Sequence, residues 1–197
     1  MLVVGVTGSL ASGKTEVTRF FKAAGARVFD ADCSAREAIK KGKPIYRAIV
    51  KMFGKEYLGK NGQIDRAKLA ERVFNHPRDL KKLNTLIHPE VILDALKVIE
   101  KSKNKKGLLV LDVPLLFESK MENLANVIVV AAASKASSLR RAVQKGIPAC
   151  LAEKILAAQW PLRRKIARAD FVIWNNGNLA HLEKQVNSIK QEIENGY

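Results

Sequence analysis

Cysteine is scarce in this chain: Cys33 and Cys150 are the only two among 197 residues. That excludes a disulfide-stapled scaffold and fits a reducing compartment. Aromatic residues make up only 6% of the chain, so no row of rings is available on which nucleic-acid bases would stack. Apolar runs such as 108–111 and 127–133 fall well short of the roughly 20 residues needed to span a bilayer. The N-terminus reads MLVVGVTG, without a basic segment or a small-residue cleavage site, so no secretory signal is expected. Acidic residues are also few, 19 against 35 Lys and Arg, which leaves a formal net charge of +16. What is plentiful is core-forming material, at 47% hydrophobic residues, which argues against disorder. These features predict a soluble, cytoplasmic, basic protein, and the charge alone points to a nucleic-acid binder.

Short apolar runs at 2–6, 26–29, 108–112, 127–131 and 171–174 read as strands. They are nearly all apolar rather than alternating, as parallel strands covered on both faces are. Helical periodicity between them predicts an α/β layered fold. Two stretches exceed a minimal βαβ repeat. Residues 34–106 read as helix without a convincing strand, with Asp65 as an N-cap, a turn at Gly59–Gly62 and a longer amphipathic stretch at 80–99. Residues 134–168 read as two basic helices around Gly146-Ile147-Pro148. They carry nine basic residues and one acid, Glu153, and hence half of the excess charge. A final helix at 179–194 lines up Leu182, Val186, Ile189 and Ile193.

The segment Gly8-Ser9-Leu10-Ala11-Ser12-Gly13-Lys14-Thr15 satisfies the phosphate-loop pattern G-x-x-x-x-G-K-[ST], with a strand before it and an amphipathic helix after it. Glycines allow the backbone to wrap an anion, so that successive N–H groups and a helix N-terminus face phosphates. Lys14 is placed to reach the β- and γ-phosphates, and the Thr15 hydroxyl to ligate Mg²⁺. Asp112, closing the third strand, stands where an acid meets that Mg²⁺. Just past the second strand lie Asp30 and Asp32, either of which serves equally well as the base for an acceptor hydroxyl or as a plain turn and cap residue. The loop from Val113 to Glu118 is apolar and ends in an acid, which reads as a buried turn lining a pocket. His88 lies in an amphipathic helical region, where a lone histidine is more often structural than a ligand; Pro89 after it predicts a helix start or kink, which leaves open a histidine turned toward a cleft. His76 and His181 carry no functional reading, and the histidines and cysteines show no metal-site spacing. The basic stretch 134–168 is either a solvated hairpin or a lid closing on polyphosphate.

Taken together these residues resemble the dephospho-coenzyme A kinases, P-loop kinases of the nucleoside-monophosphate-kinase type. The similarity runs essentially end to end. It includes Gly5-Val-Thr-Gly8, Phe29-Asp-Ala-Asp32, Ile87-His-Pro-Glu90, Val110 to Glu118, Ala158-Gln159, Ala169-Asp170 and Ile173-Trp-Asn-Asn-Gly177. The resemblance implies a parallel five-stranded sheet in a single domain, its core formed by 1–33, 107–133 and 169–197. It also implies a CoA-binding helical insertion at 34–106 and a lid at 134–168. The implied reaction is ATP-dependent phosphorylation of the ribose 3′-hydroxyl of dephospho-CoA, with Mg²⁺. By the same match Asp32 is the base, while Lys14 and Arg140 stabilise the transferring phosphoryl group. ATP would meet Gly8, Ala11, Ser12, Gly13, Lys14, Thr15 and Glu16, with Asn175 and Gly177 in the adenine-proximal turn. Substrate would meet Thr7, Asp32, His88, Leu115, Leu116, Phe117 and Glu118, and the metal Thr15 and Asp112. The implied partners are the two small-molecule substrates, with no nucleic acid or membrane, and a monomer.

This chain departs from the family pattern at Ser9 and Ala11, where glycine is common, and at Gln144, where a second lid arginine is common. Arg141 or Lys145 then supplies that charge. A basic nucleic-acid-dependent ATPase and a kinase for another small acceptor are the competing readings, and the bulky insertion favours a large acceptor.

Overall fold

The structure is a computed structural model and describes residues 1–196. Five strands form one sheet: β1 (Leu2–Gly8), β2 (Arg27–Asp30), β3 (Leu108–Asp112), β4 (Val127–Ala132) and β5 (Phe171–Trp174). All neighbours are parallel, and the order is β2-β3-β1-β4-β5. Every residue of β3 and six of the seven in β1 are buried. Their uninterrupted Val and Leu content therefore follows from helices covering both faces. Nine α-helices accompany the sheet among the described residues: α1 (Lys14–Ala23), α2 (Ala31–Ala38), α3 (Pro44–Phe53), α4 (Arg66–Asn75), α5 (Pro77–Ser102), α6 (Lys135–Gln144), α7 (Ala149–Ala158), α8 (Leu162–Ile166) and α9 (Leu179–Gly196).

The chain divides into two compact units, Met1–Asp30 with Ala95–Tyr197, and Ala31–Asp94. In the first, Val17, Phe20 and Phe21 of α1 and Leu182, Val186 and Ile193 of α9 pack with Val4, Val6, Val110 and Val129 of the sheet. Their spacings of three, four and seven place each set on one helical face. In the second, Ile49, Ile64, Leu69 and Val73 form a small core, with Tyr46, Phe53, Phe74 and Leu83 packed against it. The Asp65 carboxylate accepts from the Lys68 backbone N–H at 3.1 Å and starts α4, relieving one of the orphan donors at a helix N-terminus. The Gly59–Gly62 turn closes a single antiparallel bridge between Leu58 and Ile64.

Three expectations are sharpened or changed. α5 is one helix running through Pro89: the stretch 80–99 is continuous as expected, and of the two readings at Pro89 only the helix start is excluded. The missing N–H removes one helical bond, and the apolar positions on either side, Leu83, Leu86 and Val91, hold both halves of the helix in place. The basic segment holds three helices rather than two, because Gln159-Trp160-Pro161 ends α7 and Pro161 starts α8. Asp32 is not a cap ahead of a helix but lies in the first turn of α2, where the helix dipole favours a carboxylate.

Phe21, with no exposure, anchors α1 on the sheet. Replacing it with Ala is expected to cost about 3–5 kcal/mol, read as a lowered urea midpoint at unchanged slope.

Candidate active site

The glycine-rich loop leaves the C-terminal end of β1, the central strand, where open parallel α/β sheets bind ligands. Its shape depends on two glycines. Gly13 has φ 99° and caps α1. A side chain there would also collide with the Asn175 amide, which donates to the Ser12 carbonyl at 3.0 Å. At Gly8, a Cβ would run into Ser12 Oγ and lie 2.6 Å from the Ala131 carbonyl oxygen. Ala11 adopts φ 52° without being glycine, the left-handed region that costs an alanine roughly 1–2 kcal/mol. The position where the family commonly has glycine is thus one where the backbone favours it.

Lys14 leaves the loop and pairs through Nζ with Asp112 Oδ1. Their side chains are 14% and 8% exposed, so this pair stands in little water. Burial pushes the Asp112 carboxyl above its ordinary value, and Lys14 opposes the shift without cancelling it. Asp30 ends β2 directly across from Asp112 in register, and its charge adds to the upward push. Thr15 is exposed at the second position of α1. No group of three or more His, Cys, Asp or Glu residues suited to a metal occurs among the described residues.

Beside the loop, the segment after β3 is pinned from several sides. Pro114 O accepts from Thr7 Oγ1 at 3.0 Å and from Lys165 Nζ at 3.2 Å. Lys165 also lies 3.0 Å from Glu118 Oε1, and the same oxygen accepts from Trp160 N at 2.8 Å. Lys165 is fully buried, and burial holds its amine below the ordinary value despite the carboxylate beside it. Leu116 is also fully buried, with its Cδ2 3.0 Å from where a Cβ on Gly5 would stand. Phe117 stacks on Trp160 with centroids 5.5 Å apart, and the Arg164 guanidinium covers the Trp160 ring at 3.5 Å from its centroid.

The sheet's C-terminal edge therefore brings together Thr7, the 8–16 loop and helix start, Asp112, the 114–118 loop and Asn175. Glu118, Leu116 and Phe117, expected to meet substrate, are occupied by protein contacts; Leu115 is half-buried. Asn175 ties strand ends together: its N–H donates to Ala132 O at 2.8 Å, and its carbonyl accepts from Arg141 Nη2 at 2.9 Å. Arg140 on the same helix is exposed, as is Gly177. Asp32 and His88 belong to the second unit; Asp32 is exposed and His88 half-buried.

Sequence reasoning assigned no role to Lys165, Trp160 or Gln159, whose Oε1 accepts from the Leu10 backbone N–H at 3.0 Å. A lysine inside the run Arg163-Arg164-Lys165 carries no mark of burial, although its spacing of three from Leu162 places it on that residue's face. It leaves the solvated basic surface that the charge count assumed.

A family model described as dephospho-CoA kinase matches residues 2–181. The dephospho-CoA kinase of Geobacillus kaustophilus is 39% identical over 195 residues, covering 97% of this chain and 96% of its own length. The solved dephospho-CoA kinase of Campylobacter jejuni is similar at TM-score 0.71 and 28% identity, over 98% of each chain. A shikimate kinase of Bacteroides thetaiotaomicron, at 12% identity and TM-score 0.55 over 98% of each chain, shares the fold. The likeness extends over nearly the full length of sequence and structure alike, and the chain belongs to the dephospho-CoA kinase family.

Proposed function

We propose that this chain transfers the γ-phosphoryl group of ATP directly to the ribose 3′-hydroxyl of dephospho-CoA, completing CoA, with Asp32 as base. One observation carries the phosphate half of this reading: the glycine-rich loop delivers Lys14 to the buried carboxylate of Asp112 at the end of the central strands. A lysine and a carboxylate held there suit a polyphosphate and its counter-ion.

The acceptor oxygen attacks the γ-phosphorus in line as the bond to the ADP oxygen breaks, and the hydroxyl proton passes to the Asp32 carboxylate. Family resemblance favours Asp32 over Asp30, and its exposure keeps it available to a hydroxyl. Lys14 neutralises charge on the β- and γ-phosphates, and Arg140 adds positive charge from the basic 134–168 lid. The donor set fits Mg²⁺, since Thr15 and Asp112 offer only hard oxygens and that ion commonly uses one or two protein oxygens with water and phosphate. When bound, it would supply positive charge that draws off the charge developing on the transferring phosphoryl group. Asn175, already fastened to Ser12 and Arg141, would orient the adenine-proximal turn.

The direct test incubates the protein with ATP, Mg²⁺ and a panel of dephospho-CoA, nucleosides and DNA. Phosphate is expected on the 3′-hydroxyl of dephospho-CoA; transfer only to a nucleoside, or hydrolysis stimulated only by DNA, would overturn the reading. Asp32→Asn should lower kcat about 10²–10⁴-fold with ATP affinity nearly unchanged, as measured by steady-state kinetics beside nucleotide titration. In the loop, Gly13→Ala combines a left-handed φ with a collision against Asn175, and should weaken nucleotide binding by roughly 5- to 30-fold, the equivalent of ~1–2 kcal/mol of left-handed strain. Arg140→Ala should reduce kcat more than Lys154→Ala does; equal and trivial effects would return the segment to a solvated surface.

A further inference from the structure

The residue pair Gln159-Trp160, between α7 and α8, touches two loops, the one that leaves β1 and the one that follows the neighbouring strand β3. On one side the Gln159 Oε1 accepts from Leu10 N at 3.0 Å, inside the glycine-rich loop. On the other, Trp160 N donates to Glu118 Oε1 at 2.8 Å while its ring stacks on Phe117. Buried Lys165 fastens that second side, bonding both Glu118 and the Pro114 carbonyl. Adjacent residues of one chain thus have a side chain committed to the nucleotide loop and a backbone N–H committed to the 114–118 loop. A peptide unit is stiff, so displacement of one contact is felt at the other.

We propose that Gln159-Trp160 is a strap that couples nucleotide occupancy to the 114–118 loop, making Gln159 a positioning residue through which ATP and dephospho-CoA strengthen each other's binding. The inference rests on the reading of 114–118 as acceptor-side. The Leu10 N–H belongs to a loop whose amides turn toward phosphates when nucleotide binds. Any adjustment of that loop passes to Gln159, and one residue later to the Trp160–Glu118–Lys165 cluster. Linkage then requires the effect to be reciprocal.

Two readouts test it. In calorimetry, saturation with a non-hydrolysable ATP analogue and Mg²⁺ should tighten dephospho-CoA binding on the order of tenfold, within the usual range of coupling between sites. Gln159→Leu should reduce that gain to below about twofold while the free protein's affinity for dephospho-CoA stays as in wild type. A wild type that binds dephospho-CoA without the gain, or a Gln159→Leu variant that keeps it, overturns the strap. The second readout needs no acceptor. The chain has two tryptophans, so Trp174→Phe leaves Trp160 as the sole reporter. Nucleotide alone should change its emission, and Gln159→Leu should abolish the change while nucleotide still binds. A reporter silent to bound nucleotide, or one that responds equally without Gln159, refutes the coupling. A responsive Trp160 in a protein that binds no dephospho-CoA would instead refute the acceptor assignment and leave the strap standing. The double variant Lys165→Met/Glu118→Gln, which removes both charges of the ion pair together, should lose the gain as well; retention of the gain there would overturn the proposal.

Discussion

Lys14 and Asp112 meet where the central strand and its neighbour end side by side, and much of the surrounding architecture serves to keep those two opposite charges together in a place with little water. A buried carboxylate is costly unless a cation answers it. Here the cation comes from the first turn of α1, the carboxylate from the last residue of β3. Their approach depends on the parallel register of β1 with β3 and on a tight loop that reverses direction within a few residues. The left-handed Gly13 and the Asn175 clamp shape that loop. The pair itself leaves neither charge without an answer.

The same logic recurs a few ångströms further along the sheet edge. Lys165 has no exposure, and Glu118 is the carboxylate beside it. Truncating one member of such a pair commonly costs 3–5 kcal/mol, while replacing both is often tolerated. The excess charge that first suggested nucleic acid therefore serves several ends. One lysine is structural, Arg141 holds the Asn175 carbonyl, Arg164 covers the Trp160 ring, and Arg140 remains exposed. A small polyanion is as well matched by such a distribution as a long one.

Much of this was legible beforehand, for reasons specific to each element. The unbroken apolar runs of β1 and β3 announced buried parallel strands, and β3 and β5 have the boundaries expected of them. The glycine-rich loop was legible because its chemistry is local: glycine, lysine and threonine act through their own backbone and the next helical turn. Pro89 left a helix start open because a helix interrupted in one hydrogen bond survives when both halves are packed, and packing is not a local property. The partner of Glu118 was not legible, because it is a lysine 47 positions later in a run of basic residues that looks solvated.

The sequence by itself determined the strand content, the phosphate-loop pattern and the excess of positive charge, since each depends on residue type and short-range spacing, while the family was legible only through a resemblance running nearly the whole chain. Which basic residue is buried, which carboxylate answers which cation, and that Gln159 and Trp160 join two loops were decided only in the folded chain. Those pairings connect residues from 42 to 149 positions apart, and here the crossovers that a parallel sheet requires bring such distant groups within bonding distance.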